Sequence, residues 1–396
     1  MSETETPRAT RGQILAMAFT AGAVVANIYF SQPMLPLIAQ SLHAPASAIG
    51  LIPACNLAGF AAGLALLVPL GDRYDRKRIV LAQIAFAGLF AILAALAPNL
   101  PVLLAASLGL GFVSCAPQQM APFAASMAAP FERGRAVGTV VSGIMFGLLT
   151  GRVVGGALSA VVGWRLVFGF AALFMALAFV MTARLLPRGR PTSNLSYGRL
   201  IASLWPLFRD HPALRNAIAS QTLLWVAFNA FWASLASLLA QSWGLGPFFA
   251  GAFGLVGVAG ALAASAGGRA ADRMGPLRVL AFGVLCVALA YVALALASAS
   301  LAALVVGVVL LDLGCQSALV SNQTRVFALD PTAQGRLNTL FMVSIFLGGA
   351  AGAALSGVLM AHVGWSGVVA EGLVATALAG LAHARAFQSS AASARS

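Results

Sequence analysis

Residues 68–78 read VPLGDRYDRKR, and residues 268–278 read GRAADRMGPLR. Asp72-Arg73 of the first segment falls on Asp272-Arg273 of the second, two hundred positions later (272 minus 72). The register continues downstream. ERGR at 132–135 aligns with AQGR at 333–336, and Gly163-Trp164 aligns with Gly364-Trp365, each with an offset of 201 (335 minus 134, 364 minus 163). Three landmarks in one register mark an internal duplication. The chain reads as an N-terminal half, 1–186, a linker, 187–212, and a C-terminal half, 213–396.

The composition says what each half is made of. Of 396 residues, 60% are hydrophobic and only 8% are charged, where a soluble domain carries about 25% charged residues. Continuous Ala/Leu/Val/Gly/Phe runs recur, each near the roughly 20 residues that cross a bilayer as a helix. Short alternating strands of a barrel are not seen. The fold class is all-α and polytopic. Twelve transmembrane helices are expected at 12–41, 46–69, 79–97, 100–128, 135–161, 164–186, 213–241, 246–268, 276–297, 300–327, 335–361 and 364–385, six in each half. The polar start, MSETETPRATRGQ, leads into a span too long for a signal-peptide core, so that span is expected to be retained.

The net charge of +13 does not point to nucleic acid. Of the 23 lysines and arginines, all except Arg152 and Arg165 fall in or beside the links on one side of these spans. The positive-inside rule makes that side cytoplasmic, with both termini inside a bacterial-type inner membrane. The surplus is a topology signal and a contact for membrane lipid. In the linker, Leu200, Ile201, Leu204, Trp205 and Phe208 fall on one helical face, the pattern of an interfacial helix.

Other classes lack their signatures. The histidines (His43, His211, His362, His383) stand singly at span ends, so no enzyme constellation forms. There is no P-loop and no filter-like motif. Cys55, Cys115, Cys286 and Cys315 lie inside spans without metal-ligand spacing, as small apolar packers. No metal or cofactor is expected; a proton gradient is the energy source. Two parallel six-helix halves describe a secondary transporter with its site at their interface. Its partners are a small-molecule substrate and protons, and it is expected to be a monomer.

The segment LGDRYDRKR resembles the signature that follows the second helix in the major facilitator superfamily, Gly-x-x-x-Asp-Arg-x-Gly-Arg-Lys. Asp72, Arg73, Arg76 and Lys77 match it, while Val68 and Asp75 replace its glycines. The second copy keeps Gly268, Asp272, Arg273 and Gly275. The resemblance implies a latch between the halves on the cytoplasmic side, where a carboxylate at a helix end accepts from arginine and from helix amides.

Span five contains GLLTGRVVGG, 147–156. With Gly138 it resembles the glycine pattern of the superfamily's drug:proton antiporter branch, except that Arg152 stands where proline is usual. Gly147, Gly151 and Gly155 share one helical face and let another backbone approach closely, expected to be a helix of the other half.

Arg152 itself lies roughly 6 Å outward from the centre of its span, at 1.5 Å per residue. A charge there faces protein or water. The embedded acids are Asp312, near the middle of span ten, and Glu371 on span twelve. The resemblance places spans one, four, seven and ten around the central cavity, which makes Asp312 the proton-coupling carboxylate. Arg152 is its partner, an anion ligand, or a tie to backbone carbonyls. Polar and aromatic residues on the cavity spans (Asn27, Phe30, Gln32, Gln118, Gln119, Trp225, Asn229, Trp232 and Gln316) suit an amphipathic organic substrate. The resemblance implies proton-coupled efflux by alternating access. The alternative is proton-coupled uptake of a small organic anion or sugar-like metabolite.

Overall fold

The computed structural model describes residues 10–129, 131–187, 197–257 and 275–393. Eleven segments among them are helical, long and apolar enough to cross a membrane. A shorter apolar helix, Pro247–Gly257, begins where the eighth span is expected; 258–274 lie outside the described residues.

In chain order the helices are α1 Arg11–Tyr29, α2 Leu35–Leu42, α3 Leu51–Leu66, α4 Leu70–Arg73, α5 Arg76–Ala95, α6 Leu100–Val113, α7 Pro117–Met127, α8 Arg133–Val162, α9 Trp164–Leu185, α10 Tyr197–Ala202, α11 Leu204–Asp210 and α12 Pro212–Trp243. Then follow α13 Pro247–Gly257, α14 Pro276–Leu294, α15 Leu301–Phe327, α16 Gln334–His362 and α17 Trp365–Ser393.

Two expected spans are interrupted, both at prolines. The first divides into α1 and α2 around a tight turn at Gln32–Met34 that contains Pro33. The fourth divides into α6 and α7 just before Pro117. Proline removes an amide donor and crowds the preceding turn, so the helix breaks and exposes backbone there.

One core cluster is drawn entirely from residues between Ala16 and Leu186. A second is built around α12, α14, α15, α16 and α17, with Val25, Ile28, Phe60 and Leu64 packed onto it. The sequence repeat reaches the backbone. Gly163 and Gly364 both have positive φ, +79° and +77°, and both precede the tryptophan that opens the next helix. That conformation costs a side-chain-bearing residue energy and glycine almost none.

Close backbone contacts between the halves occur at the end away from the basic links. Gly50, just before α3, packs on Gly357 of α16, where an added Cβ would sit 3.0 Å from the Gly357 Cα. Gly156 of α8 packs on Gly251 of α13, at 2.9 Å by the same measure. Further along the same two helices, toward the basic end, Phe60 of α3 meets Phe346 of α16, ring centroids 4.5 Å apart. The linker forms two short helices separated at Ser203 rather than one continuous helix. Trp205 is exposed and stacks on Phe208, and the Tyr197 hydroxyl donates to the Leu66 carbonyl.

Candidate functional site

The break between α1 and α2 turns Gln32 inward. Its Oε1 accepts a hydrogen bond from Arg152 Nε at 3.0 Å. Arg152, on α8, is only 3% exposed. Its guanidinium carbon lies 3.7 Å from the ring centroid of Trp232 on α12 and 4.9 Å from that of Tyr29 on α1. A buried central arginine costs about 3 kcal/mol or more in a membrane. A hydrogen bond to a charged donor returns about 1.5–3 kcal/mol, and a desolvated cation–π contact about 2. The local contacts therefore return part of that cost.

Arg152 and Asp312 make no ion pair: Arg152 Nη2 and Asp312 Oδ2 are both buried with no hydrogen-bond partner among the described residues. The indole of Trp232 connects their surroundings. A Cβ placed on Gly257 would lie 3.0 Å from Trp232 Cζ2 and 3.2 Å from Asp312 Oδ2. The ring thus lies against the guanidinium at its face, and its Cζ2 edge and the Asp312 carboxylate flank the same glycine. Trp232 Nε1 is also buried and unpaired among the described residues.

Helix α13 makes this arrangement possible. Gly251, Gly254 and Gly257 recur every three residues. A Cβ on Gly254 would press on Arg152 Cβ at 3.2 Å. These glycines escaped the sequence reading, although the G-x-x-G-x-x-G spacing at 251–257 is visible in the sequence; Gly156 stands in the span-five glycine pattern, but its partner does not show there. A void of about 10 Å³ is lined by Gln32, Pro33, Arg152, Trp232, Leu235, Ala236 and Ala250. Toward the outer end, Pro33 and Ala236 also border a vestibule of about 190 Å³.

The other expected cavity residues distribute differently. Asn27 donates to the Val24 carbonyl and to the Met175 sulfur, within its own half. Phe30 lines a lateral groove of about 650 Å³ beside α8 and α9. Gln119 donates to the Leu67 carbonyl and to Gln83, near the basic end; Gln118 is half-buried beside it. Trp225 stacks on Phe228 at 5.1 Å and meets Phe346 edge-on. Asn229 donates back to the Trp225 carbonyl. Gln316 is half-buried, one turn beyond Asp312 on α15. Glu371 is buried on α17 with both oxygens unpartnered among the described residues.

The glycine face of α8 requires a correction. Gly147, Gly151 and Gly155 meet Gly22, Ala26 and Phe30 of the first span, in their own half rather than across to the other. The contact to the other half comes from Gly156, one residue on. Successive helical residues point about 100° apart, so Gly155 and Gly156 serve two neighbours at once.

At the basic end, Arg76 Nε donates to the Gly71 carbonyl, and Lys77 Nζ donates to the carbonyls of Ala183 and Leu186. These bonds tie α5 to α4 and to the end of α9 within one half. Arg73 lies over Tyr74. The side chain of Asp72, and Asp272 and Arg273 altogether, lie outside the described residues. Arg165, the second cation off the basic side, donates to Ser41 and to the Ala97 carbonyl.

Two helical bundles that meet around a buried arginine and a buried acid, with no ion pair between them among the described residues, suit a polytopic membrane transporter. The sequence pattern of the Major Facilitator Superfamily matches residues 17–328 and again 217–395. The chain belongs to that superfamily and is a secondary transporter, not an enzyme.

It is 34% identical over 366 residues to the uncharacterized transporter YgaY of Escherichia coli O157:H7, covering 91% of each chain. It is 34% identical over 357 residues to the probable transporter SCO4007 of Streptomyces coelicolor, covering 89% of this chain and 83% of that one. Among solved structures, the fold is similar to that of a bacterial homologue of the human lysosomal transporter Spinster, in an inward-facing, unoccupied conformation. The TM-score is 0.76 with 17% identity, over 94% of this chain and 95% of the other.

Proposed function

We propose that this transporter exports small amphipathic organic compounds across a bacterial inner membrane in exchange for protons. Both termini and the basic links lie in the cytoplasm. The observation that carries the reading is the buried Asp312 carboxylate, whose Oδ2 has no hydrogen-bond partner among the described residues and which lies near Trp232 and Gly257. Intramembrane acids are costly and mark proton pathways, because gaining or losing a proton changes their interactions with the surroundings. Its proton state can therefore bias which end of the molecule is open.

Export is supported by the glycine spacing of α8, which resembles that of the antiporter branch. A multidrug resistance protein B homologue of Mycobacterium tuberculosis is 27% identical over 206 residues, 48% of this chain and 38% of that protein.

A second reading, proton-coupled uptake of an organic anion, is favoured by one specific observation: the buried donors Arg152 Nη2 and Trp232 Nε1 have no acceptor among the described residues. The 3-(3-hydroxy-phenyl)propionate transporter of Escherichia coli is 29% identical over 198 residues, 48% of this chain and 46% of that protein.

The test uses energised inverted vesicles and a chemically mixed panel of lipophilic cations, neutral aromatics and aromatic acids. Export by antiport predicts that a panel member collapses the pH gradient in vesicles with the protein and not in vesicles without it. If instead aromatic acids accumulate in right-side-out vesicles in step with the proton gradient, and nothing collapses it in inverted ones, the uptake reading replaces this one.

A further inference from the structure

The lateral groove of about 650 Å³ beside α8 and α9 follows one stripe of α1, from Leu15 through Gly22 to Phe30. Phe146 of α8 and Phe174 of α9 also line it, 67% and 44% exposed. Gly22 is buried against α8, where an added Cβ would lie 2.5 Å from the Gly143 carbonyl oxygen. The groove makes little demand for hydrogen bonds. Thr139 and Thr150 spend their hydroxyls on the carbonyls of Arg135 and Phe146 in their own helix. From Leu15 to Phe30 the stripe runs about 22 Å at 1.5 Å per residue. One leaflet supplies about 15 Å of hydrocarbon, half of the roughly 30 Å core. A chain in the groove thus stays in it for the full depth of a leaflet.

At the basic end lies a second hollow, of about 360 Å³, whose walls include Arg11, Glu132 and Arg135. Leu15 and Thr139 border both spaces, so the two are neighbours. Among the described residues no ion pair joins Glu132 to either arginine. Two arginines and one glutamate leave the wall a net charge of +1 (2 minus 1). Lipid tails are as apolar as leucine, so the groove alone does not choose among lipids. Charge does: basic pockets between helices on the cytoplasmic side bind anionic head groups. A phosphodiester carries one negative charge, and arginine is suited to its oxygens.

We propose that the groove and the basic hollow together bind one anionic glycerophospholipid of the phosphatidylglycerol type. Its phosphodiester lies with Arg11 and Arg135, and one acyl chain follows the α1 stripe. A zwitterionic lipid would leave the charge of the wall unbalanced. Every residue of the site belongs to the N-terminal half, so the lipid moves with that half and bridges α1 and α8. The site does not depend on the direction, substrate or coupling of transport, and failure of the export reading would leave it intact.

The experiment is native mass spectrometry of the purified full chain in mild detergent. The chain is titrated with an equimolar mixture of phosphatidylglycerol, phosphatidylethanolamine and phosphatidylcholine that share the same acyl chains. Phosphatidylglycerol is expected to form the first adduct, several-fold ahead of the other two. The double variant Arg11→Gln, Arg135→Gln should lower it to the level of phosphatidylcholine. Ser142 is exposed and lines the groove. Ser142→Trp fills the groove and leaves both arginines, and it should weaken the adduct several-fold. Melting temperatures identify any variant that fails to fold.

Phosphatidylglycerol bound no better than phosphatidylcholine by the wild type overturns the proposal, and so does phosphatidylethanolamine bound ahead of it. A double variant of unchanged melting temperature that keeps the preference overturns it too. Unchanged binding in a folded Ser142→Trp protein removes the groove from the site. Inorganic phosphate that displaces the lipid mole for mole would make the hollow a site for a soluble anion instead.

Discussion

Arg152 is an arginine that the surrounding sequence would not lead one to expect, and its neighbours explain how it is tolerated. One hydrogen bond and two aromatic faces return part of what its burial costs. The geometry predicts an ordering of substitutions. Arg152→Lys keeps the charge over the rings but loses the planar bond to Gln32, so it should retain part of the transport activity. Arg152→Ala should lose at least tenfold more. Vesicle transport assays normalised to membrane protein level check this; equal activity of both variants with the wild type would remove Arg152 from the mechanism. Trp232→Ala, which strips the guanidinium of its nearest ring, should be as harmful as Arg152→Ala, and Trp232→Phe milder than either.

The residue types at this site were legible in the sequence; most of their partners were not. Arg152, Asp312, Gln32 and Trp232 stand out as polar or aromatic residues in apolar spans. That the indole, rather than an ion pair, links the arginine and the acid depends on side-chain directions across three helices. Helical periodicity within one segment carries no such information. Asn27 and Gln119 illustrate the same limit, since each shares a helix with cavity residues yet spends its amide inside the N-terminal half.

At the scale of elements, α8 carries two glycine faces that do different things. A methyl group at Gly147 would strike the backbone of Gly22 in the same half, and one at Gly156 would strike the backbone of Pro247 and Gly251 in the other. Overpacking of this kind costs about 1–3 kcal/mol.

Gly147→Ala should therefore lower folding yield and melting temperature. Gly156→Ala should leave the halves intact and disfavour the state closed at the outer end, by about tenfold for each 1.4 kcal/mol. The reporter is Ala236→Cys, a buried position that borders both the void and the vestibule, in a background with the four native cysteines replaced. An impermeant maleimide added from outside should label it several-fold faster when Gly156 is also alanine. Equal rates would mean that the α8–α13 contact does not hold that end shut.

The repeat of about 200 residues is legible in the sequence, and the positive-φ glycines 163 and 364 carry it into the backbone. The breaks at Gln32 and before Pro117 follow from prolines already visible. The partner of each glycine face was hidden, because Gly155 and Gly156 are neighbours in sequence and opposites in contact.

For the whole molecule, the close glycine contacts between the halves lie at one end and the basic links at the other. That asymmetry predicts sidedness. A reporter fluorescent only in the cytoplasm should light up when fused at either terminus, and a reporter enzyme active only outside should stay silent there; the opposite pattern would invert the topology.

The central claim is that proton state at Asp312 is coupled to movement between the two closed ends. It is tested by comparing wild type and Asp312→Asn in proteoliposomes, once the vesicle panel has supplied a substrate. Two rates are measured, exchange of labelled for unlabelled substrate without a gradient, and net movement driven by a pH gradient. The account predicts that Asp312→Asn keeps exchange near the wild-type rate and loses gradient-driven movement. Gradient-driven movement at the wild-type rate in Asp312→Asn would contradict it.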